Sequence, residues 1–283
     1  MRESIDFRIA ERHARRFLRP EDGKLLGSST RKLVLDTHDI RYARVGRIER
    51  EFRKQGSFFI LSWDIRRKYT KKELEAAELS HLRLRSAFEP EGESCGTEYD
   101  DTAGCEHCGF GARQLNELRL DPSRLPRGKD LARTIAYNEI IVSARLVEAL
   151  HAHAITGARF LPVLRKGGRG VIEDWYQLEV TSRPLGVAPV TRFGVDPFDA
   201  DEAGEYRCPL GHILGLNILS ELSVVREDWD GSDVCATRQW TGVRSRNGGA
   251  FSPHPLLLIS QKLRRLLGAL KAKGFDLEVA HLV

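Results

Sequence analysis

The sequence predicts an α+β protein in which two related strand/helix units pack together and follow an N-terminal α/β region. Three observations predict this class: an internal repeat, Cys/His clusters at equivalent places in the two copies, and mixed strand and helix-capping patterns ahead of them. The chain has 283 residues, enough for one large or two modest domains. The acidic, turn-rich segment Phe88–Ser94 marks the expected boundary between a basic N-terminal region, residues 1–92, and a duplicated domain, residues 93–283.

The N-terminal region combines helical and strand patterns. Apolar side chains recur at helical spacing from Phe7 to Leu18 and predict a helix, whereas Lys32–Asp36 and Ser57–Trp63 are typical of strands. The run Thr70-Lys-Lys-Glu73 has the form of a capping box, which predicts a helix that continues to about Ser86.

The repeat is clearest in the downstream half of each unit. Ile141–Leu150 matches Leu258–Leu267, and each match continues to a glycine fourteen residues after its serine, at Gly157 and Gly274. The shared pattern predicts a strand, a serine N-cap, a helix, a left-handed glycine and a second strand.

The upstream half repeats as well, at an offset of 103 or 104 residues. The matching features are Cys105 and Cys208, Leu118–Leu120 and Leu222–Val224, Asp130 and Asp233, and Thr134 and Thr237. These matches set the units at about residues 95–165 and 200–283, joined through Trp175–Val180, with about 14 residues inserted around Gln239–Pro255. Because catalytic groups need not duplicate, the repeated Asp and Thr positions indicate a structural role.

The cysteine spacing predicts a metal site. Cys105-x-x-Cys108 followed by Gly109 has the form of a zinc knuckle, in which a glycine lets the backbone fold under two sulfurs. Cys208 and His212 supply two further ligands from the equivalent place in the second unit. We therefore expect two zinc-ribbon-like units held together by one structural Zn2+ ion in a closed Cys3His site.

Other interpretations of these residues stay open at this stage. Cys95 and His107 are candidate substitute ligands because they lie close to the knuckle in the sequence. Cys105 and Cys108 also suit a redox pair, or they are remnants of a lost site in which His212 caps a turn.

The excess of basic over acidic residues is confined to the N-terminal fifth of the chain. The whole sequence has 45 Lys/Arg and 40 Asp/Glu, whereas residues 1–55 have 15 basic and 9 acidic residues. The basic residues cluster at Arg12, Arg15, Arg16, Arg19 and again between Arg41 and Lys54. Either a phosphate-contacting surface or a solvated surface with internal ion pairs explains this pattern.

Composition excludes several classes of protein. Five cysteines are too few for a secreted disulfide framework, and an odd number of cysteines cannot all form pairs. The N-terminus lacks an apolar signal region. No apolar run approaches the length of about 18 residues that spans a membrane, so we expect a cytoplasmic protein without a membrane segment. The motifs of common catalytic sites are missing from the sequence, so we expect no enzymatic activity.

The motifs together resemble the double-CXXCG-motif proteins, a paralogous family best represented in myxobacteria. The resemblance rests on Cys105-x-x-Cys108-Gly109, on Cys208-x-x-Gly211-His212, and on the Val-Ser-x-Arg-Leu helix with its trailing Gly-x-x-Phe strand. It covers about residues 95–283 and departs from the family where His212 replaces a thiolate. Members of that family act as immunity proteins against polymorphic toxins, which implies a cognate toxin as the protein partner here.

Two functional hypotheses follow. The first is a zinc-stabilised binding protein that neutralises a toxin by direct contact, with the acidic segments Asp196–Glu202 and Glu227–Asp230 facing a basic toxin surface. The alternative is a zinc-ribbon nucleic-acid-binding protein that uses the basic residues 1–55.

Overall fold

A computed structural model describes residues 1–108, 110–136, 138–168, 170–213, 215–241 and 254–283. Within these ranges the chain is a mixed α+β protein, as the sequence predicts, with five α-helices and several β-sheets. Its contacts divide the chain into two units, Met1–Glu73 and Leu74–Val283. Among the described helices, none has both the length and the apolar character needed to cross a membrane.

The first unit follows the order β-α-β-β-α-β. Its elements are β1 (Arg2–Ala10), α1 (Glu11–Phe17), β2 (Lys24–Leu26), β3 (Thr30–Asp36), α2 (Ile40–Lys54) and β4 (Ile60–Lys68). The strands form one antiparallel sheet in the order β2-β3-β1-β4, which is the split β-α-β topology. Helix α1 contacts β1 and β3, and α2 contacts β3.

The prediction of a helix from Phe7 to Leu18 is wrong in its bounds, because the helix in the structure is confined to α1. Residues Ile5, Phe7 and Ile9 alternate along β1 and are buried against the helices, so a period of two governs this segment. The strand expected at Lys32–Asp36 is confirmed as part of β3, whereas the strand expected from Ser57 begins only at Ile60.

The second unit contains most of the strands. Its elements are α3 (Lys71–Ala76), which crosses the division between the units, β5 (Leu79–Leu84), β6 (Ala87–Phe88), β7 (Tyr99–Asp100), β8 (Arg113–Gln114), β9 (Arg119–Leu120), β10 (Leu131–Thr134), β11 (Ile140–Ser143), α4 (Ala144–Ala152), β12 (Ala158–Arg165), β13 (Val171–Val180), β14 (Phe193–Asp196), β15 (Asp199–Ala200), β16 (Asn217–Ile218), β17 (Leu222–Val224), β18 (Val234–Thr241), β19 (His254–Ser260), α5 (Gln261–Ala269) and β20 (Phe275–Leu282).

The predicted capping box is present, but the helix behind it is short. The backbone N–H of Thr70 donates to the Glu73 carboxylate at 2.7 Å, and the backbone N–H of Glu73 donates to the Thr70 hydroxyl at 3.2 Å. Helix α3 ends at Ala76 instead of Ser86, because β5 is a strand with a hydrogen-bonded neighbour on each side. This pairing also explains why the chain divides after Glu73, ahead of the boundary expected at residue 92.

Two sheets of the second unit have matching strand orders. One sheet runs β6-β10-β11-β13-β12-β9, and the other runs β17-β20-β5-β19-β18. In this match β10, β11, β13, β12 and β9 correspond to β18, β19, β5, β20 and β17. In both sheets the central strand is antiparallel to its two neighbours, and β9 or β17 is parallel to the strand beside it.

The central strands are exchanged between the repeats. Gln177 of β13 pairs with Ile141, and His81 of β5 pairs with Leu258, the repeat equivalent of Ile141. The duplication therefore comprises β5 to β12 and β13 to β20, and the first strand of each repeat lies in the sheet of the other. The segment Trp175–Val180, expected to join the units, is instead part of the central strand β13.

The predicted caps of the repeated helices are confirmed. The Ser143 and Ser260 side chains accept hydrogen bonds from the backbone N–H groups of Leu146 and Leu263. Gly157 and Gly274 follow the helices with φ of +85° and +115°, ahead of β12 and β20. Most of the expected insertion at Gln239–Pro255 lies outside the described residues.

One hydrophobic core joins the two repeats. Equivalent buried side chains meet in it: Leu131 and Val234, Val142 and Ile259, Leu146 and Leu263, and Leu150 and Leu267. Burial of a leucine or valine side chain stabilises a fold by about 1.5 to 3 kcal/mol. This shared core holds the two sheets, and therefore the loops that each sheet carries, in a defined arrangement.

Candidate metal centre

The first knuckle is the loop between β7 and β8, which pair antiparallel. The backbone N–H of Cys105 donates to the carbonyl of Phe110 at 2.7 Å, and that of Cys108 donates to the carbonyl of Cys105 at 3.3 Å. These bonds close a tight turn that brings the two sulfurs to one side. The predicted role of Gly109 lies outside the described residues.

The second knuckle lies between β15 and β16, which both pair with β14. The backbone N–H of Cys208 donates to the carbonyl of His212 at 3.1 Å, and that of Gly211 donates to the carbonyl of Cys208 at 2.7 Å. Gly211 has φ of +79°, a left-handed conformation that glycine adopts without strain. The loop therefore turns back on itself and directs Cys208 and His212 to the same place.

The two knuckles bring all four predicted ligands together. One ligand atom from each of Cys105, Cys108, Cys208 and His212 lies within 4.8 Å of the others. Nδ1 of His212 lies 3.4 Å from Sγ of Cys108 and 3.3 Å from Sγ of Cys208. Tetrahedral zinc has bonds of about 2.3 Å to sulfur and about 2.0 Å to nitrogen, which requires ligand separations of this size. The cluster can therefore hold a metal ion.

The two thiols of the first knuckle have different acidities. Burial raises the pKa of the Cys108 thiol to about 12. Burial also acts to raise the pKa of Cys105, but hydrogen bonds from the backbone N–H groups of His107 and Cys108 outweigh it, so the pKa lies below its ordinary value. Because metals bind the thiolate, an ion held at this site would displace a proton, and its affinity would rise with pH.

Two aromatic side chains that the sequence did not point to support the histidine ligand. The ring of Phe110 stacks on His212 with centroids 4.4 Å apart and an interplanar angle of 21°. Trp240 meets Phe110 edge-on at 5.1 Å. The stacking depends on the fold that joins the repeats, so the sequence does not predict it. The only signal in the sequence is that Phe110 directly follows the knuckle motif.

The alternative ligands lie elsewhere. Cys95 is buried at the end of a 3-10 turn, Glu93–Cys95, and does not belong to the cluster found in the described part of the chain. Burial raises the pKa of its thiol. The ring of His107 lies 3.4 Å from the Glu106 carboxylate and is also outside the cluster.

The acidic segment Asp196–Glu202 differs from the exposed patch that the sequence suggested. Asp196 is buried and accepts a hydrogen bond of 2.6 Å from the backbone N–H of Phe198. Asp201 is also buried, and it accepts from the backbone N–H of Tyr206 at 3.0 Å and from Nε of Arg207 at 2.9 Å. These carboxylates stabilise the loop ahead of the second knuckle.

The acidic segment Glu227–Asp230 is partly internal. The Asp228 carboxylate accepts from the backbone N–H of Gly186 at 2.8 Å and from Arg238 at 3.1 Å, and these partners lower its pKa. Glu227 and Asp230 on either side of it are exposed. Asp228 therefore anchors a turn that presents two carboxylates to solvent.

No protein-family model matches the chain, and no curated protein matches it at a significant level. The likeness to the double-CXXCG-motif proteins therefore rests on the motif residues alone.

Proposed function

We propose that this chain is a zinc-stabilised binding protein in which Zn2+ has a structural role. The observation that carries the proposal is the cluster of three cysteines and one histidine, with two ligands from each repeat. Four protein ligands complete a tetrahedral shell and leave no position for a substrate or a reactive water. The ion would link two loops about a hundred residues apart and make its binding energy part of the folding energy.

The knuckles would serve as zinc-ribbon-like elements on an α+β scaffold. The first knuckle joins the paired strands β7 and β8, and the second joins β15 and β16, which both pair with β14. The shared core beneath them would keep the scaffold rigid. A rigid scaffold lowers the entropic cost of binding a partner.

The partner we propose is a cognate toxin, so that the chain acts as an immunity protein. The motif resemblance supports this role, and the charge of the second unit is compatible with it, since residues 74–283 carry 29 acidic and 25 basic side chains. The anchored turn with Glu227 and Asp230 is the candidate contact for a basic toxin surface.

Zinc content and stability test the structural role. We expect purified protein to contain one zinc per chain, and we expect Cys105→Ser to lose the metal and to melt at a lower temperature. Cys235→Ala is the matched control, because Cys235 is buried outside the cluster and the repeat has alanine at the equivalent position, Ala132. Wild-type protein without zinc, or equal losses in both variants, would contradict the structural role.

Co-expression tests the partner. The chain should restore growth to cells that express the product of the adjacent gene, and the two proteins should co-purify. The double variant Glu227→Lys/Asp230→Lys should weaken this protection while keeping its zinc. Failure of wild-type protein to protect cells while it retains zinc would reject the immunity role and leave the metal site intact.

A further inference from the structure

The two units carry opposite net charges. Residues 1–73 contain 20 Lys/Arg and 11 Asp/Glu, whereas residues 74–283 contain 25 and 29. In the first unit many of the basic residues are arginines on α1 and α2, the layer that covers one side of the sheet. Arginines that pair with carboxylates make this layer a neutralised surface. Arginines without such a partner make it a candidate binding surface.

Some of these arginines are neutralised within the unit. The buried Glu11 carboxylate binds Arg31 at 2.6 Å and Arg15 at 3.0 Å. The buried Glu49 carboxylate binds Arg53 at 2.8 Å. Such pairs stabilise the unit, and their cations are not available to an external anion.

Six other arginines are exposed, and in the described chain none of them lies within ion-pair distance of a carboxylate. They are Arg12, Arg16 and Arg19 in and after α1, and Arg44, Arg47 and Arg50 in α2. We call this set the arginine face. Side chains three or four residues apart on a helix are neighbours at about 5 to 6 Å, so Arg12 lies next to Arg16 on α1, and Arg47 lies next to Arg44 and Arg50 on α2. Arg19 follows the end of α1.

The two helices that carry these arginines are in contact. Nη2 of Arg44 donates to the backbone carbonyl of Phe17 at 2.7 Å, which ties α2 to the end of α1. Between the helices, Phe52 packs edge-on against His13 at 4.9 Å and against Phe17 at 5.6 Å. These contacts hold α1 and α2, and therefore their arginines, close together. Glu51, the exposed acidic residue that follows Arg50 in the sequence, is paired with Lys54 at 2.8 Å.

We propose that the arginine face binds the phosphate backbone of double-stranded nucleic acid. Guanidinium groups form bidentate hydrogen bonds with phosphate, and two neighbouring groups of exposed cations suit a polyanion with regularly spaced charges. The rings of Phe17 and Phe52 are packed between the helices, so neither ring is free to stack on the bases of a single strand. The proposal is independent of the zinc site and of the toxin partner, because every residue in it belongs to the first unit.

The test measures binding of zinc-loaded, full-length protein to a fluorescent DNA duplex of mixed sequence and to the same duplex in RNA. Between about 50 and 200 mM salt, we expect log K to fall linearly with log salt, with a slope near −5 if all six arginines contact phosphate. The double variant Arg12→Glu/Arg47→Glu should bind about tenfold more weakly or worse and have a slope shallower by about 2.

The matched control is Lys24→Glu/Lys68→Glu. Both lysines are exposed, on β2 and β4, and the substitution changes the net charge by the same amount. This variant should bind the duplex nearly as well as wild type, and circular dichroism should show both double variants folded. Equal losses in the two variants, no duplex binding at low salt, or binding of poly-glutamate in place of the duplex would overturn the proposal.

Discussion

The carboxylate of Asp130, in the first repeat, accepts a hydrogen bond of 2.9 Å from the backbone N–H of Lys273, in the second. Its repeat equivalent Asp233 accepts one of 3.1 Å from the backbone N–H of Thr156. Each aspartate also accepts from the serine that caps the helix of its own repeat, at 3.0 Å and 2.6 Å. The repeated aspartates therefore join the start of one helix to the end of the other, which confirms the structural role that their repetition indicates.

Removal of either aspartate should destabilise the second unit. We expect Asp130→Ala and Asp233→Ala each to lower the free energy of unfolding by about 2 kcal/mol, because several partly buried donors lose a charged acceptor. Urea unfolding followed by circular dichroism measures the change. Asp276→Ala, which removes a partner of Arg85 at an exposed site, should cost less than about 0.5 kcal/mol. Equal effects at the three positions would refute the linking role.

Asp233 should also make stability depend on pH. Burial acts to raise its pKa, but hydrogen bonds from Ser260 and Thr156 and the ammonium of Lys262 outweigh it, so the pKa of the folded state is lowered. A lowered pKa means that the stabilisation is fully present above the unfolded pKa of about 3.9 and is lost as the pH falls through the folded pKa. The difference in unfolding free energy between wild type and Asp233→Asn should therefore be largest near neutral pH and shrink in acid. A difference that grows in acid would reverse the assigned sign.

Gly157 should tolerate no side chain. A Cβ at this position would collide with the backbone carbonyl oxygen of Val234 in the second repeat. Gly231 has the same φ of +85° but opens onto free space, so Gly231→Ala isolates the cost of the left-handed backbone, about 1 to 2 kcal/mol. We expect Gly157→Ala to cost a further 1 to 3 kcal/mol or so by urea unfolding. Similar losses for the two variants would show that the approach of Val234 is unimportant.

Phe110 should hold His212 in the orientation that metal binding needs. We expect Phe110→Leu to weaken metal affinity about tenfold, as substitutions next to metal ligands commonly do. Chelator competition gives the affinity, and the visible spectrum of the Co2+-substituted protein reports the ligand geometry. Phe160→Leu is the control, since Phe160 contacts His151 away from the metal centre. An unchanged spectrum and affinity in Phe110→Leu would mean that the stacking does not position the histidine.

Local chemistry made several features predictable. A serine before an apolar helix and a glycine after it are needed for capping whatever the rest of the fold does, and Ser143, Ser260, Gly157 and Gly274 occupy those places. The spacing of Cys105 and Cys108 likewise allows one ion to be chelated within a single turn. For these capping and chelating residues, the expectation and the structure agree.

Strand partners were not predictable in the same way. The segments Leu79–Leu84 and Trp175–Val180 were expected as the end of a helix and as a joining segment, yet both belong to central strands. Residues 79–82 of β5 are all buried, so the pattern of this strand does not reveal its neighbours, which are chosen by register and packing. The stacking of Phe110 on His212 depends on the same tertiary arrangement.

The sequence by itself determined the α+β class, the duplication, the caps and the four residues of the Cys/His cluster, because periodicity, capping and chelation act over a few residues. Only the tertiary structure decided that the repeats exchange their first strands, that the chain divides after Glu73, and which arginines of the first unit pair with a carboxylate. Those outcomes depend on contacts between residues far apart in the chain, where shared burial, and not local preference, selects the partner.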